Sequence, residues 1–290
     1  MGSKSVFVAC AALTLASGSL QAVQAATAPI VSISTFTIAS SSAPESSGTW
    51  RVAPRATFSP GEDLQFVIKW GVVTAGYSNL SVMEVVKIEN RPTFHIISSA
   101  HSGGVVSTFY KVEDHNDVWL DEGALATVRY EKRIHEGKYQ IEETSLLDQI
   151  RHRWKTRSYR VDKNTYEEKE GDLPPDALDP FGSLYYIRSL PLEIGKTYTV
   201  DVHDGTKVYP LEVDVLKRQT VKVPAGKFDC ILVQPKLRGP GIFISKGKKL
   251  EVWLTDDERK MPVRMRSEVF IGHVSAELLP PHATPQDDTP

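Results

Sequence analysis

Most of this chain alternates apolar and polar residues with a period of two, and one ten-residue run breaks the pattern. That run is Asp179-Pro180-Phe181-Gly182-Ser183-Leu184-Tyr185-Tyr186-Ile187-Arg188. Asp179 is a strong N-cap residue, and Pro180 suits the first helical position, where its missing N–H would have no partner anyway. Phe181, Leu184, Tyr185 and Arg188 follow at i, i+3, i+4 and i+7, one face of a helix. Leu190-Pro191 ends it. A lone amphipathic helix in a β-rich chain must be covered by sheet. The segment is therefore expected to organise the fold, either as one wall of a ligand site or as a plug.

The alternating segments are dense. Leu64, Phe66, Ile68 and Trp70 interleave with Asp63, Gln65 and Lys69, the signature of a half-buried strand. The same pattern predicts strands over Tyr77–Val85, Thr93–Ser99, Ser107–Val112, Val118–Leu120, Val128–Ile134 and Tyr139–Thr144. Beyond the helix it continues through Lys196–Val202, Lys207–Leu216, Gln219–Val223, Lys227–Pro235, Lys249–Leu254, Val263–Ile271 and His273–Leu279. His135-Glu136-Gly137-Lys138 reads as a hairpin turn and Gly103-Gly104 as a simple turn. A sheet of so many strands must curl, split or close. The expected fold is mainly β: a strongly curved antiparallel sheet or barrel with one central helix, a β-sandwich being the alternative.

The ends are different in kind. Residues 1–25 carry Lys4 as their single charge, a short apolar stretch from Val6 to Leu13, and Ala22-Val23-Gln24-Ala25 as a small-residue cleavage pattern. This reads as a signal peptide cleaved near Ala25, since the apolar run falls short of the roughly 20 residues a membrane span needs. Residues 26–57 are rich in Ser, Ala, Thr and Pro and read as a flexible leader. Residues 280–290 read as a disordered tail, leaving a β-rich domain over 58–279. The expected location is the periplasm, with no integral membrane segment after cleavage.

Cleavage would remove Cys10 and leave Cys230 alone, which excludes an internal disulfide and a cysteine metal site. Cys230 lies in an apolar strand and reads as a buried free thiol. Losing Lys4 takes the formal charge from −2 to −3, too near neutral for a nucleic-acid partner.

Four segments, in order, resemble the bacterial exported family called domain of unknown function 3108. They are Gly61-Glu62-Asp63-Leu64 with Trp70-Gly71 and Ala75-Gly76; Asp179 to Arg188; Pro224-Ala225-Gly226-Lys227-Phe228; and Val252 to Val263. Gly182 and Ser183 depart slightly from the pattern, standing where a Leu-Ser type pair is expected. The resemblance implies an exported, strand-rich protein and no particular activity. The layout is also similar to that of periplasmic lipoprotein carriers, whose curved sheet binds acyl chains over a helical lid.

Candidate sites follow from side-chain chemistry. Arg151, Arg153, Lys155 and Arg157 recur at period two, a stripe that could hold an anionic headgroup or pair with Glu142 and Glu143 across the preceding hairpin. Trp154 falls on the opposite face. Trp70 and Tyr185 belong to an aromatic set suited to stacking on sugars or lining a lipid cavity. Arg188, if buried, needs a carboxylate from Glu62, Asp63 or Asp179.

Thr255-Asp256-Asp257-Glu258-Arg259 offers adjacent acids, but at a hairpin tip, where turn acids are ordinary. The eight histidines lack metal-ligand spacing, and no nucleophile elbow, dinucleotide fingerprint or phosphate loop is present. No catalytic set, metal site or cofactor is assigned. The expected function is binding or carrying an amphipathic or anionic envelope molecule such as a lipid or glycolipid, with Trp70, Leu184, Tyr185, Arg188, Arg151 and Arg153 as ligand contacts. The alternatives are a non-catalytic part of an envelope assembly and a carbohydrate-active envelope enzyme, which would need paired acids in an aromatic groove.

Overall fold

The computed structural model describes residues 50–237, 249–269 and 272–281. The expected signal segment, most of the expected leader and nearly all of the expected tail lie outside the described residues. In chain order the strands are β1 (Asp63–Trp70), β2 (Val73–Ile88), β3 (Arg91–Ser102), β4 (Val112–Asp121), β5 (Thr127–Glu136), β6 (Tyr139–Asp148), β7 (Arg153–Arg160) and β8 (Thr165–Asp172). After the helix come β9 (Thr197–His203), β10 (Val208–Val223), β11 (Gly226–Leu237), β12 (Leu250–Thr255), β13 (Pro262–Glu268) and β14 (His273–Leu278). Among the described residues the helices are α1 (Gly104–Phe109) and α2 (Pro180–Arg188), with a 3-10 turn at Val161–Lys163.

All fourteen strands form one antiparallel sheet in the order β8-β7-β6-β5-β4-β3-β2-β1-β14-β13-β12-β11-β10-β9. The chain thus meanders outward from β1 to one edge at β8, reappears at the other edge at β9, and meanders back until β14 pairs with β1. One sheet excludes the sandwich alternative. It bends as expected, and extra residues at Ile68/Lys69, Val82/Val85, Trp119/Leu120, Val215/Lys217 and Trp253/Leu254 supply local kinks.

The segment that carries α2 runs from β8 at one edge to β9 at the other. The Thr127 N–H at the start of β5 donates to its Ala177 carbonyl, and Leu178 makes a parallel bridge to Val202 of the edge strand β9. Asp179 caps the helix as expected, its Oδ1 accepting from the N–H groups of Phe181 (2.8 Å) and Gly182 (3.1 Å). Its Oδ2 accepts from Thr127 Oγ1 at 2.7 Å. Phe181, Leu184, Tyr185 and Ile187 are buried in one apolar core with residues of β1 to β4 and β10 to β14. Phe58 stands edge-on to both Phe94 (ring centroids 5.0 Å) and Tyr185 (4.7 Å), stitching the approach to β1 into that core.

Four local expectations change. The first half of Ser107–Val112, predicted as strand after a Gly-Gly turn, belongs to α1: Gly104 takes φ +56° and the Ser107 hydroxyl donates to its carbonyl. The chain has to step there from β3 to β4, so its β-branched residues meet no partner strand. Lys207–Leu216 and Gln219–Val223 are one strand, β10, with the exposed Leu216 as the extra residue of a bulge. The edge strand β8 has no apolar alternation to betray it; its sequence is Thr-Tyr-Glu-Glu-Lys-Glu-Gly-Asp. Such charge suits an unpaired edge.

Residues 50–57, expected within the flexible leader, are partly packed. The Arg51 guanidinium donates to the carbonyls of Ala124 and Leu125 (both 2.6 Å) and stacks on Tyr186, while Trp50 lies 4.0 Å under Arg91.

Candidate ligand site

Arg188, in the last turn of α2, has no exposed surface. A buried guanidinium needs its charge and its donors answered. Glu62, just ahead of β1, does both: Nη1 donates to Oε1 and Nη2 to Oε2, each at 2.8 Å. Two carbonyls of the β12–β13 turn complete the shell, Lys260 at 3.1 Å from Nε and Arg259 at 3.3 Å from Nη2. Of the three carboxylates considered from the sequence, Glu62 is the partner, while Asp179 caps the helix and Asp63 accepts from the Ser81 hydroxyl.

The turn that presents those carbonyls is itself built by its acids. Asp257 Oδ1 accepts from the N–H groups of Arg259 and Lys260 (3.0 Å each) and from Thr255 Oγ1 (2.7 Å), and Asp256 pairs with Arg218 at 2.6 Å. The adjacent acids are therefore occupied in holding a turn. Three of the four segments that carry the family resemblance meet at this ion pair. The remaining one, at Pro224–Phe228, lies at the same end of the sheet, where the Ala225 N–H donates to the Leu278 carbonyl.

A cleft of about 770 Å³ opens directly over the pair, lined by Arg55 to Glu62 and by Glu258, Arg259 and Lys260. Phe58 lines it with only 7% of its surface exposed; its ring packs on Tyr185 and lies 5.5 Å from the Arg188 guanidinium carbon. Ala56, Phe58 and Pro60 give it apolar surface; Arg55, Arg259 and Lys260 give it cations. Glu62, held by Arg188, also lies 3.7 Å from the Arg259 guanidinium, and Glu258 is the other carboxylate of the lining. Neither Leu184 nor Tyr185 lines this cleft. The helix is the support behind Phe58, and the wall belongs to residues on either side of it in sequence.

The other residues expected to bind ligand lie apart. Trp70 is 38% exposed at the far end of β1. Arg151 sits in the β6–β7 turn instead of a strand and pairs with Asp148 at 2.9 Å. Arg153 opens β7, six strands from β1, and pairs with Asp172 at 2.6 Å. Lys155 and Arg157 both reach Glu168. The basic stripe is thus answered by β8 on its outer side, not by Glu142 and Glu143 of β6. An anion there would have to displace several carboxylates. Trp154 does point the other way, into a small core with Leu147, Leu173 and Ala177.

Sequence reasoning missed a buried polar group on the concave face. Lys132 of β5 and Glu143 of β6 stand opposite each other and form an ion pair at 2.7 Å, with side chains 7% and 4% exposed. Lys132 also donates to the Asp204 carbonyl at 3.1 Å. Burial raises the Glu143 carboxyl against the pull of Lys132. Next to it, His203 is fully buried 4.5 Å from the Trp154 ring, and burial lowers its pKa to about 3, leaving it neutral. The available signal was weak: polar residues at inward positions of strands that otherwise alternate cleanly.

The sequence profile of the family described as protein of unknown function DUF3108 matches residues 65–279, and the chain belongs to that family. No curated protein sequence matches it significantly. Among solved structures it is similar to a beta-barrel-like protein of domain of unknown function DUF1849 from Brucella abortus. That match has 11% identity and a TM-score of 0.50, covering 80% of this chain and 98% of that one. At that identity the likeness concerns the fold alone. A candidate exported protein with a YmcC-like fold from Bacteroides fragilis matches with 9% identity and a TM-score of 0.34, covering 80% of this chain and 99% of that one. Among the described residues no helix is long and apolar enough to cross a membrane.

Proposed function

We propose that this member of the DUF3108 family is a periplasmic binding or carrier protein, exported by cleavage near Ala25, whose ligand is an amphipathic anion of the envelope such as a lipid or glycolipid. One observation carries the reading. The cleft over the Arg188–Glu62 pair sets Ala56, Phe58 and Pro60 beside Arg55, Arg259 and Lys260, an apolar floor under a cationic rim. An acyl chain or sugar face would lie along Ala56, Phe58 and Pro60, and a phosphate or carboxylate would take the guanidinium of Arg259 or Arg55, the side chain best shaped for two-pronged contact with either. The buried pair behind keeps Arg259 and Lys260 in place through their own carbonyls. The pocket is thereby set before ligand arrives, which lowers the cost of ordering it.

The test is a calorimetric titration with short-chain phosphatidylglycerol below its micelle concentration. Arg55→Ala and Arg259→Ala should each weaken binding about tenfold, in line with loss of one charge-assisted contact. Binding of inorganic phosphate with equal strength would remove the amphipathic part of the reading. No binding of either probe, together with no co-purifying molecule in native mass spectra of periplasmic material, would overturn it.

A further inference from the structure

The end of the sheet opposite the cleft carries an unusual row of side chains. β1 is eight residues long, so this end lies about 25 Å from the cleft. Here the β1–β2 turn exposes Trp70 (38%), Val72 (98%) and Val73 (50%), and α1 exposes Phe109 (81%). These are four of the eleven large apolar side chains that stand exposed among the described residues, and they include the most exposed of all. The remaining seven are scattered over other turns and faces.

The row is continuous through close contacts of backbone and side chain. A Cβ placed on Gly272, in the β13–β14 turn, would be 3.8 Å from Trp70 Nε1. The Gly103 N–H, leading into α1, donates to the Ala75 carbonyl of β2. Tyr110, which follows α1, lies against Gly137 of the β5–β6 turn, whose N–H donates to the Lys111 carbonyl. One rim therefore runs across the turns of β14, β1, β2, the β3–β4 connection, β5 and β6. Exposed Lys111, Lys138, Lys249 and His273 sit along it, together with the exposed carboxylates Glu113 and Glu268. Of these, Lys111 pairs with Glu113, while the ion pairs among the described residues leave Lys138 and Lys249 unengaged.

We infer that this rim docks the protein on the surface of an anionic lipid bilayer. Apolar side chains on separate projecting tips, with lysines between them, make a poor match to a flat protein surface or to a second copy of the same rim. They match a headgroup layer, which flows around each tip, takes indole and phenyl rings at its apolar boundary and answers ammonium groups with phosphates. Docked this way, the chain would hold the cleft end away from the bilayer. The inference stands independently of the cleft's ligand.

Co-sedimentation of the mature chain, starting at Ala26, with phosphatidylethanolamine vesicles, with and without phosphatidylglycerol, tests it. Binding should need the anionic lipid, fall as salt rises, and drop at least tenfold in a Val72→Asp/Phe109→Asp double variant of unchanged melting temperature. Brominated lipid should quench tryptophan emission in the parent chain and do so much less in Trp70→Phe. Binding undiminished in the double variant would overturn the inference, since it would come from elsewhere on the chain. Absence of vesicle binding would overturn it too, as would a dimer in lipid-free solution that the same two substitutions abolish.

Discussion

Arg188 and Glu62 are 126 residues apart in sequence and meet in a two-pronged ion pair with almost no exposed surface. The contact ties the C-terminus of α2 to the start of β1, and through the Lys260 and Arg259 carbonyls to the β12–β13 turn. Removing one member strands a buried charge. Glu62→Gln should therefore cost about 3–5 kcal/mol in urea unfolding. An Arg188→Met/Glu62→Met chain, which buries no charge, should be more stable than Glu62→Gln. A double variant no better than the single one would mean that the carbonyl contacts of Arg188, not its charge pairing, hold this end together.

Gly182 is confined by the cap that starts the helix. A Cβ there would lie 2.6 Å from Asp179 Oδ2, 2.7 Å from Thr127 Oγ1 and 3.2 Å from Leu120 Cδ1. In an ordinary helix Gly→Ala is stabilising by roughly 0.5–1 kcal/mol. Here Gly182→Ala should instead destabilise by about 1–3 kcal/mol, because it drives into a well-packed group with no free direction to yield. An unchanged or raised melting temperature would show that the cap can shift without loss.

The helix and its cap were legible because their signals are local: Asp179, Pro180 and the i, i+3, i+4, i+7 apolar spacing all fall within ten residues. The meander was legible for the same reason, since each strand carries its own alternation. What depended on distant partners was not. Glu62, Asp63 and Asp179 were equivalent candidates for Arg188 until the fold brought one of them to it. The basic stripe at Arg153 and Arg157 was visible, but its true partners lie on β8, whose charged sequence carries no burial pattern at all. The cleft was illegible because its walls come from opposite ends of the chain. The inward Lys132 and Glu143 looked like ordinary surface charges until the sheet curved over them.

That interior pair makes its own prediction. Gly205 takes φ +99°, and a Cβ on it would fall 1.8 Å from Glu143 Oε1. Gly205→Ala should lower stability by more than the backbone strain alone, on the order of 2–4 kcal/mol, because it also pushes apart the buried Lys132–Glu143 pair. In a Lys132→Met/Glu143→Met background the same substitution should cost markedly less. An identical cost in both backgrounds, read from denaturant midpoints, would show that strain at Gly205 accounts for the whole effect.

Asp114 of β4 gives a pH dependence with a defined sign. Burial, reinforced by neighbouring Glu136, raises its pKa from 3.8 to about 8, against the opposing hydrogen bond from the His135 N–H. Between those values the folded chain holds a proton that the unfolded chain has released. Stability contributed by that proton is full below the unfolded value, declines as pH rises, and is gone above about 8. His203 works the other way: its pKa is lowered to about 3 from 6.5, so its effect on stability lies below pH 6.5, as the buried ring is forced to charge. Asp179, raised to about 6, likewise has its main effect on the acid side of neutrality. The interval from about pH 6.5 to 8.5 therefore isolates Asp114 from both. The melting temperature should fall across it in the parent chain and stay nearly level in Asp114→Asn, whose amide stays neutral and keeps a carbonyl oxygen for the His135 N–H. Parallel slopes in the two proteins would show that Asp114 is not the group losing its proton.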